Sequence, residues 1–256
     1  MKRILVIATV MALAFSANAA AHFGMVIPSD NMVMEEDERA VDVVLSFSHP
    51  FEMVGMELEK PARFTLTTQG GPGSLLDDLE KTEVMDHTAW KTRVPVRRPG
   101  LYTFYMEPKP YWEPAEDCFI VHHTKTVVAA YGADEGWSEP LGVKTEIVPL
   151  SKPFALWAGN VFQGKVLLDG KPVSNAEVEV EYYNADKKAE APSEYMITQT
   201  VQADENGVFT YAAPVPGWWG FAALNGADYK LEHKGEKKDV ELGAVLWVHF
   251  EPWKTR

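Results

Sequence analysis

Short segments in which apolar and polar residues alternate recur along the chain from residue 40 onward. The clearest one in the first half, AVDVVLSFSHP at residues 40–50, places four apolar side chains on one face, which is the two-residue period of a half-buried strand. Further strand-like segments lie at residues 62–69, 90–96, 101–106 and 118–131. Residues 74–86 fit either a short helix or an exposed connection. Five or more strands separated by turns predict a β-sandwich domain over residues 22–149.

The second half of the chain shows the same period more regularly. EVEVEYY at residues 177–183 alternates strictly, and residues 195–202 are predicted to pair with residues 208–212 across the turn ADENG. Other strand-like segments lie at residues 154–168, 218–224 and 240–249. About seven short strands at this spacing are typical of an immunoglobulin-like or transthyretin-like sandwich. The prediction is an all-β fold with two β-sandwich domains, the second covering residues 150–256.

The amino terminus has the features of an export signal. Lys2 and Arg3 precede an apolar run at residues 4–15, and small residues follow in the sequence ANAAA. This arrangement is typical of a secretory signal peptide, whose apolar region is too short to span a membrane. We therefore predict a signal at residues 1–19, with cleavage as late as residue 21, and an exported protein.

Composition narrows the choice of partners. Hydrophobic residues make up 46% of the chain, enough for two cores, and loss of Lys2 and Arg3 with the signal lowers the formal net charge from −13 to −15. An acidic protein is a poor partner for nucleic acid or anionic membranes and attracts cations. The single cysteine, Cys118, excludes an intramolecular disulfide. After the signal, no apolar run is long enough for direct membrane insertion.

Sequence motifs for enzymatic chemistry are absent. The chain has no nucleophile elbow, phosphate-binding loop, dinucleotide-binding fingerprint or zinc-protease motif. We therefore expect a binding protein and not an enzyme. The aromatic pairs at residues 111–112 and 218–219 suggest either a carbohydrate-binding platform or packing at a domain junction.

His22 is the first candidate for metal chemistry. Cleavage after residue 19 makes His22 the third residue, and the amine, two amides and the imidazole then form a square-planar nitrogen set suited to Cu(II) or Ni(II). Cleavage after residue 21 makes His22 the first residue, whose amine and imidazole chelate one ion. The amine has a reference pKa of about 7.7–8.0, so its deprotonation costs little near neutral pH.

The remaining histidines differ in their prospects. His49 ends a predicted strand, where sandwich domains gather functional loops. His122 and His123 are adjacent on one strand and must face opposite sides of it, so the sequence does not choose between them. His87 is expected in an exposed loop and His233 in solvent. His249 is expected to be structural.

Three segments carry a family resemblance: AHFGMVIPS, RPGLYTFYMEPKPYWEPAEDCFIVHHTKTVV and GNVFQGKVLLDGKPVSNAEVEVEYYN. Together they resemble the periplasmic components of nickel and cobalt uptake systems, the NikK/NikM-related exported group. The resemblance implies a periplasmic protein that carries Ni(II) or Co(II) as cargo and serves the membrane subunits of an energy-coupling-factor-type transporter. His22 matches the histidine at the mature start of such proteins, and His122 matches the histidine of their FIVH-x-TK segment.

These observations combine into one hypothesis with two alternatives. The hypothesis is that His22, its terminal nitrogen atoms, His49 and His122 converge on one metal ion, with His49 assigned by its chemistry and position. The first alternative is a copper-binding protein, including one that holds copper in an N-terminal histidine brace. The second is a sandwich module that binds carbohydrate or protein and no metal.

Overall fold

A computed structural model describes residues 22–254 as an almost purely β structure. The predicted signal peptide and its cleavage sites lie outside the described residues. The first eleven strands are β1 (Phe23–Pro28), β2 (Met32–Val33), β3 (Ala40–His49), β4 (Val54–Met56), β5 (Arg63–Thr68), β6 (Gly71–Ser74), β7 (Glu80–Val84), β8 (His87–Pro95), β9 (Gly100–Glu107), β10 (Tyr111–Glu113) and β11 (Cys118–Ala130). The next eleven are β12 (Thr145–Pro149), β13 (Leu156–Trp157), β14 (Val161–Leu168), β15 (Lys171–Pro172), β16 (Glu177–Tyr182), β17 (Gln199–Gln202), β18 (Val208–Ala212), β19 (Gly217–Gly226), β20 (Leu231–His233), β21 (Glu236–Lys238) and β22 (Val240–Glu251).

Helical structure in the described part of the chain is limited to two 3₁₀ turns, at Leu76–Asp78 and Glu194–Met196. Between residues 22 and 254, no helix has the length and apolar character needed to cross a membrane. The prediction of an all-β fold is confirmed.

One long sheet runs through both halves of the molecule. Its strand order is β17-β16-β19-β22-β11-β9-β5-β6. In addition, β2 and β10 each pair with β11, and β13 pairs with β22. The two halves meet where β11 and β22 pair in parallel, with His122 opposite Gly243. We call this the central sheet. Strands from distant parts of the sequence therefore share one hydrogen-bonded layer.

Two smaller sheets cover opposite faces of the central sheet. The N-terminal sheet has the order β1-β3-β8-β7, with β4 on β3, and the C-terminal sheet has the order β12-β14-β15, with β18 on β14. Side chains alternate along β11 and β22, so neighbouring residues serve different cores. Ile120 of β11 packs with Phe47 and Phe104 in the first core, whereas Leu246 of β22 packs with Phe162 in the second. Both sandwiches thus use the central sheet as one of their layers.

Strand β1 closes the junction between the two sandwiches. Val26 packs into the first core, while Phe23 and Met25 pack with Val245 and Trp247 of β22. The indole N–H of Trp247 also donates to the backbone oxygen of Gly24 at 2.8 Å. This packing fixes the segment that directly follows His22.

Two local predictions need correction. Strands β17 and β18 do not pair with each other: β17 adds to β16 in the central sheet, and β18 adds to β14 in the C-terminal sheet. The ADENG turn therefore carries the chain from one layer to the other. Residues 74–86, predicted as either a short helix or an exposed connection, form a 3₁₀ turn followed by strand β7.

The predicted boundary at residues 149/150 falls directly after a strand of the C-terminal sheet. Strand β12, which lies before the boundary in sequence, pairs antiparallel with β14. Lys125 of β11 and Glu146 of β12 form a buried ion pair with a nitrogen–oxygen distance of 2.8 Å. The connection between the halves is thus anchored to the second sandwich before residue 150.

Candidate metal site

His22 and His49 lie side by side at one end of the β1–β3 pair. The antiparallel register places Phe23 opposite Ser48, so one further residue along each strand brings His22 across from His49. Their ring centroids are 4.7 Å apart. The register of a buried strand pair therefore brings together two imidazoles that are 27 positions apart in sequence.

Glu113 approaches the same pair from the central sheet. Its Oε2 atom lies 3.0 Å from Nε2 of His22, and its Oε1 atom accepts a hydrogen bond from the backbone N–H of Ala115 at 2.8 Å. Strand β10, which pairs with β11, sets the position of this carboxylate. The sequence analysis missed Glu113 because carboxylates are abundant throughout this acidic chain.

The surroundings of His22 favour its neutral form. Burial lowers the pKa of His22 from 6.5 to about 4, and the charges of His49 and His122 act in the same direction, while Glu113 opposes them. A metal ion needs the neutral imidazole as its ligand. Near neutral pH, His22 is therefore ready to coordinate without first losing a proton from its ring.

His122 faces the same side of the central sheet as the His22–His49 pair. The ring of Phe47 packs against both His22 and His122, with its centroid 5.8 Å from that of His22 and 5.7 Å from that of His122. The Nδ1 atom of His122 accepts a hydrogen bond from the backbone N–H of Gly24 at 3.3 Å, and its Nε2 atom lies 3.4 Å from Oε1 of Glu241. Because Nδ1 accepts, the ring proton of neutral His122 is on Nε2, where it faces Glu241, and Nε2 could bind a metal only by losing that proton.

Gly243 makes room for the His122 ring. A Cβ atom at Gly243 would lie 2.3 Å from Cδ2 of His122, whereas one at Gly24 would lie 2.3 Å from Oγ1 of Thr124 and 3.0 Å from the Cβ atom of His122. The ring is only 1% exposed. His122 thus sits in a slot between β1 and β22 that excludes larger neighbours.

His123 faces the opposite side of the sheet. Its Nδ1 atom lies 2.6 Å from the hydroxyl of Tyr105, and burial lowers its pKa to about 4. The alternation along β11 therefore separates His123 from His22 and His49, and this resolves the ambiguity between the two adjacent histidines.

The other histidines lie outside this group. His87 begins β8 and is half-buried, so its assignment to an exposed loop is wrong, and His233 stacks on Trp112 with ring centroids 3.8 Å apart. His249 lies near the end of β22, where its ring contacts Trp218 and its Nδ1 atom is 3.0 Å from Glu251. Within residues 22–254, none of these three rings contacts His22.

Carboxylates surround the histidines on the side of β10 and β22. Glu116 interacts with Glu113 and Glu241, and burial together with these charges raises its pKa. Burial, followed by the charges of Glu116 and Glu241, raises the pKa of the Cys118 thiol to about 12. The cluster is thus rich in negative charge, which favours a cation at the adjacent histidines.

A cavity of about 330 Å³ opens beside His122. Phe47, Tyr111 and Trp112 supply aromatic walls, and Lys109 contributes a charged side chain. The aromatic pair at residues 111–112 therefore borders the histidine cluster. The second pair divides its roles, since Trp219 is buried in the second core and Trp218 contacts His249.

Within residues 22–254, the side chains of His, Cys, Asp and Glu form no group of three or more arranged to hold a metal ion. A chain that begins at His22 would add a free amine beside the imidazole. The geometry therefore offers two adjacent imidazoles and a carboxylate, and processing of the terminus would supply another nitrogen.

Comparison with solved structures gives only distant similarities. No curated protein matches the sequence. The D0–D1 domain of intimin is 13% identical, with 88% of this chain and 99% of that chain covered and a TM-score of 0.23. The adhesin InvE of Yersinia pseudotuberculosis is 10% identical, with 86% and 58% covered and a TM-score of 0.25. Domains A168–A170 of titin are 10% identical, with 86% and 66% covered and a TM-score of 0.22.

A family model gives the stronger result. The model described as a domain of unknown function, DUF4198, matches residues 19–227. This range contains His22, His49, Glu113 and His122, and it ends before strand β22. The chain therefore belongs to the DUF4198 family.

Proposed function

We propose that this protein is an exported, periplasmic binding protein for Ni(II) or Co(II), and not an enzyme. The ion is held by the terminal amine and imidazole of His22, by His49, and by Nε2 of His122. The protein delivers its cargo to the membrane subunits of an energy-coupling-factor-type transporter. The observation that carries this proposal is the pairing of His22 with His49, at 4.7 Å between ring centroids.

The donor chemistry supports an ion of this class. Imidazole nitrogens suit nickel and copper, and adding an amine gives a nitrogen-rich site. The low pKa of His22 keeps its ring unprotonated at neutral pH. Glu113, in contact with His22 at 3.0 Å, fixes the ring and lowers the electrostatic cost of a bound cation.

The proposal makes the new terminus part of the site. Each imidazole supplies a single donor, and the amine of His22 completes a chelate with its own ring. An extension ahead of His22 converts this amine into an amide and removes that nitrogen as an easily deprotonated donor. Affinity should therefore depend on where the chain begins.

The test is calorimetric titration of nickel into protein that begins at His22. Protein that begins at residue 20, and protein with two further residues ahead of that, are titrated beside it. We expect one nickel ion per chain for the form beginning at His22 and at least tenfold weaker binding for the longest form. Tenfold weaker binding corresponds to about 1.4 kcal/mol. Tightest binding by the form that begins at residue 20 would instead indicate the square-planar site.

Single substitutions test the internal ligands. His49→Ala and His122→Ala should each weaken binding at least tenfold, whereas His249→Ala, at the far end of β22, should leave it unchanged. Equal affinity in His49→Ala would remove His49 from the ligand set. The absence of nickel and cobalt binding in every form would contradict the proposed function.

Copper is the second candidate, and the same observation favours it. An N-terminal amine with two imidazoles also suits Cu(II), which binds nitrogen ligands more tightly than nickel does in the usual affinity order. Competition of copper against nickel, followed by assays for redox turnover, separates a cargo protein from a copper protein with a histidine brace. Glycan binding that persists in His22→Ala would support the carbohydrate-binding alternative.

A further inference from the structure

The turn that follows His49 is held by residues of the second sandwich. His49 is the last residue of β3, and the chain reverses over the next four residues into β4. The backbone N–H of Phe51 donates to Oε2 of Glu181 at 3.2 Å. Glu181 lies on β16, 130 positions further along the sequence than Phe51.

Asn184 forms two further hydrogen bonds to the same turn. Its backbone N–H donates to the oxygen of Pro50 at 3.2 Å, and its side-chain amide donates to the oxygen of Phe51 at 3.2 Å. Together with Glu181, this gives three hydrogen bonds to the two residues that directly follow His49. Each bond connects the first sandwich to the second.

The side chains of Glu181 and Asn184 are themselves buried and held by further hydrogen bonds. Glu181 is 1% exposed and Asn184 is 5% exposed. Glu181 also hydrogen-bonds the hydroxyl of Thr198. The amide of Asn184 donates to the oxygen of Ala189 at 3.0 Å and accepts from its N–H at 3.0 Å. Buried groups that use all of their polar atoms in this way hold a single arrangement.

We infer that Glu181 and Asn184 are positioning residues for His49, so the second sandwich sets the geometry of a metal site built on the first. This inference rests on the proposed function. Hydrogen bonds that orient a ligand from behind commonly change metal affinity by about 10–100-fold when removed. Here the hydrogen bonds orient the turn, which begins at Pro50, the residue that directly follows His49.

The first experiment compares two buried asparagines of the second sandwich. Asn184→Ala removes the side-chain bond to the turn. Asn225→Ala is the matched control, because Asn225 is 8% exposed and donates to Thr145 and Ala223 without touching the turn. Both variants should lose thermal stability. Only Asn184→Ala should weaken nickel binding, by about 10-fold or more.

The second experiment uses rescue at Glu181. Glu181→Gln retains an oxygen to accept from Phe51 and an amide to bond Thr198, whereas Glu181→Leu retains neither. Nickel affinity should be close to that of the wild type in Glu181→Gln and reduced in Glu181→Leu. Equal affinity in Glu181→Leu and the wild type would overturn the positioning role of Glu181.

A metal-free measurement separates this inference from the proposed function. In nitrogen-15 spectra of the histidine side chains, the ring signals of His49 should shift in Asn184→Ala and stay in place in Asn225→Ala. Unshifted His49 signals in Asn184→Ala would overturn the positioning role, regardless of the nickel affinity of the variant. Shifted signals in a protein that binds no nickel would instead contradict the proposed function alone.

Discussion

Replacing Gly243 by alanine should displace the ring of His122. Gly243 lies directly opposite His122 in the parallel pair of β11 and β22. An added Cβ atom would approach Cδ2 of the ring to 2.3 Å and Nε2 to 2.6 Å. Ordinary carbon contacts lie near 3.5–4.0 Å, so the ring must move by about 1 Å or more.

The ring has little freedom to make that movement. It is 1% exposed, and Nδ1 is held by the N–H of Gly24 at 3.3 Å. Overpacking of a dense interior costs about 1–3 kcal/mol. In a chain of this size, each kcal/mol lowers Tm by about 2–4 °C, so Gly243→Ala should lower Tm by roughly 2–12 °C.

The assay is chemical denaturation of four proteins: wild type, Gly243→Ala, His122→Ala and the double variant. Removing the His122 ring empties the space that the new methyl group needs. The cost of Gly243→Ala should therefore nearly disappear in the His122→Ala background, which gives a coupling energy of about 1–3 kcal/mol. Gly226→Ala is the control, since a Cβ atom there meets nothing within 4 Å.

An equal cost of Gly243→Ala in both backgrounds would refute this reasoning, because the methyl group would then clash with something other than His122. A neutral Gly243→Ala would refute it as well. If the coupling is present and nickel affinity falls in Gly243→Ala but not in Gly226→Ala, the slot around His122 also matters for the proposed site.

Three further predictions concern ionisable side chains. Lys125→Met should destabilise the protein by about 3–5 kcal/mol because it leaves Glu146 buried without its cation. In urea denaturation, adding Glu146→Leu should recover most of that loss, and no recovery would contradict this account. Burial raises the pKa of Glu181 to about 7, so its contribution to stability is complete below about pH 4.5 and is lost as pH rises through 7. A pH series should show the free energy of unfolding fall by about 3 kcal/mol, and Glu181→Gln should remove this fall. An unchanged pH dependence in that variant would exclude Glu181 as the cause. The raised pKa of Cys118 should make alkylation at pH 8 roughly a thousandfold slower than that of free cysteine, and Glu116→Gln should speed it. A normal rate in the wild type would be inconsistent with the partly buried, acidic surroundings of the thiol.

Alternation in the sequence identified the strands that have one face in a core. Strands β3, β9, β16 and β22 all lie within or close to their predicted segments. Strand β1 was missed, because FGMVIP is apolar on both faces and shows no two-residue period. Its two faces serve different clusters, with Val26 in one and Phe23 in the other. A strand buried on both sides reads as a continuous apolar run, which periodicity alone does not distinguish from a buried helix.

The pairing of distant strands also escaped the sequence. The three histidines were named from chemistry and resemblance, but their arrangement depends on register. His22 meets His49 through the β1–β3 pairing, and His122 meets Glu241 through the β11–β22 pairing. The ADENG turn looked like a hairpin because local residues encode the turn, whereas the layer that each strand joins is set by tertiary packing.

The parallel pairing of β11 with β22 has a consequence for how the chain acquires its structure. His122 and Glu241 are in contact across a separation of 119 residues. Contacts between such remote strands close a large loop, which makes folding slow. During synthesis, the first sandwich emerges long before its neighbour β22 exists, so the edge of β11 stays open until the carboxyl end of the chain arrives. The pocket around His122 is therefore a late product of folding, and we expect nascent chains to need protection from aggregation at that edge.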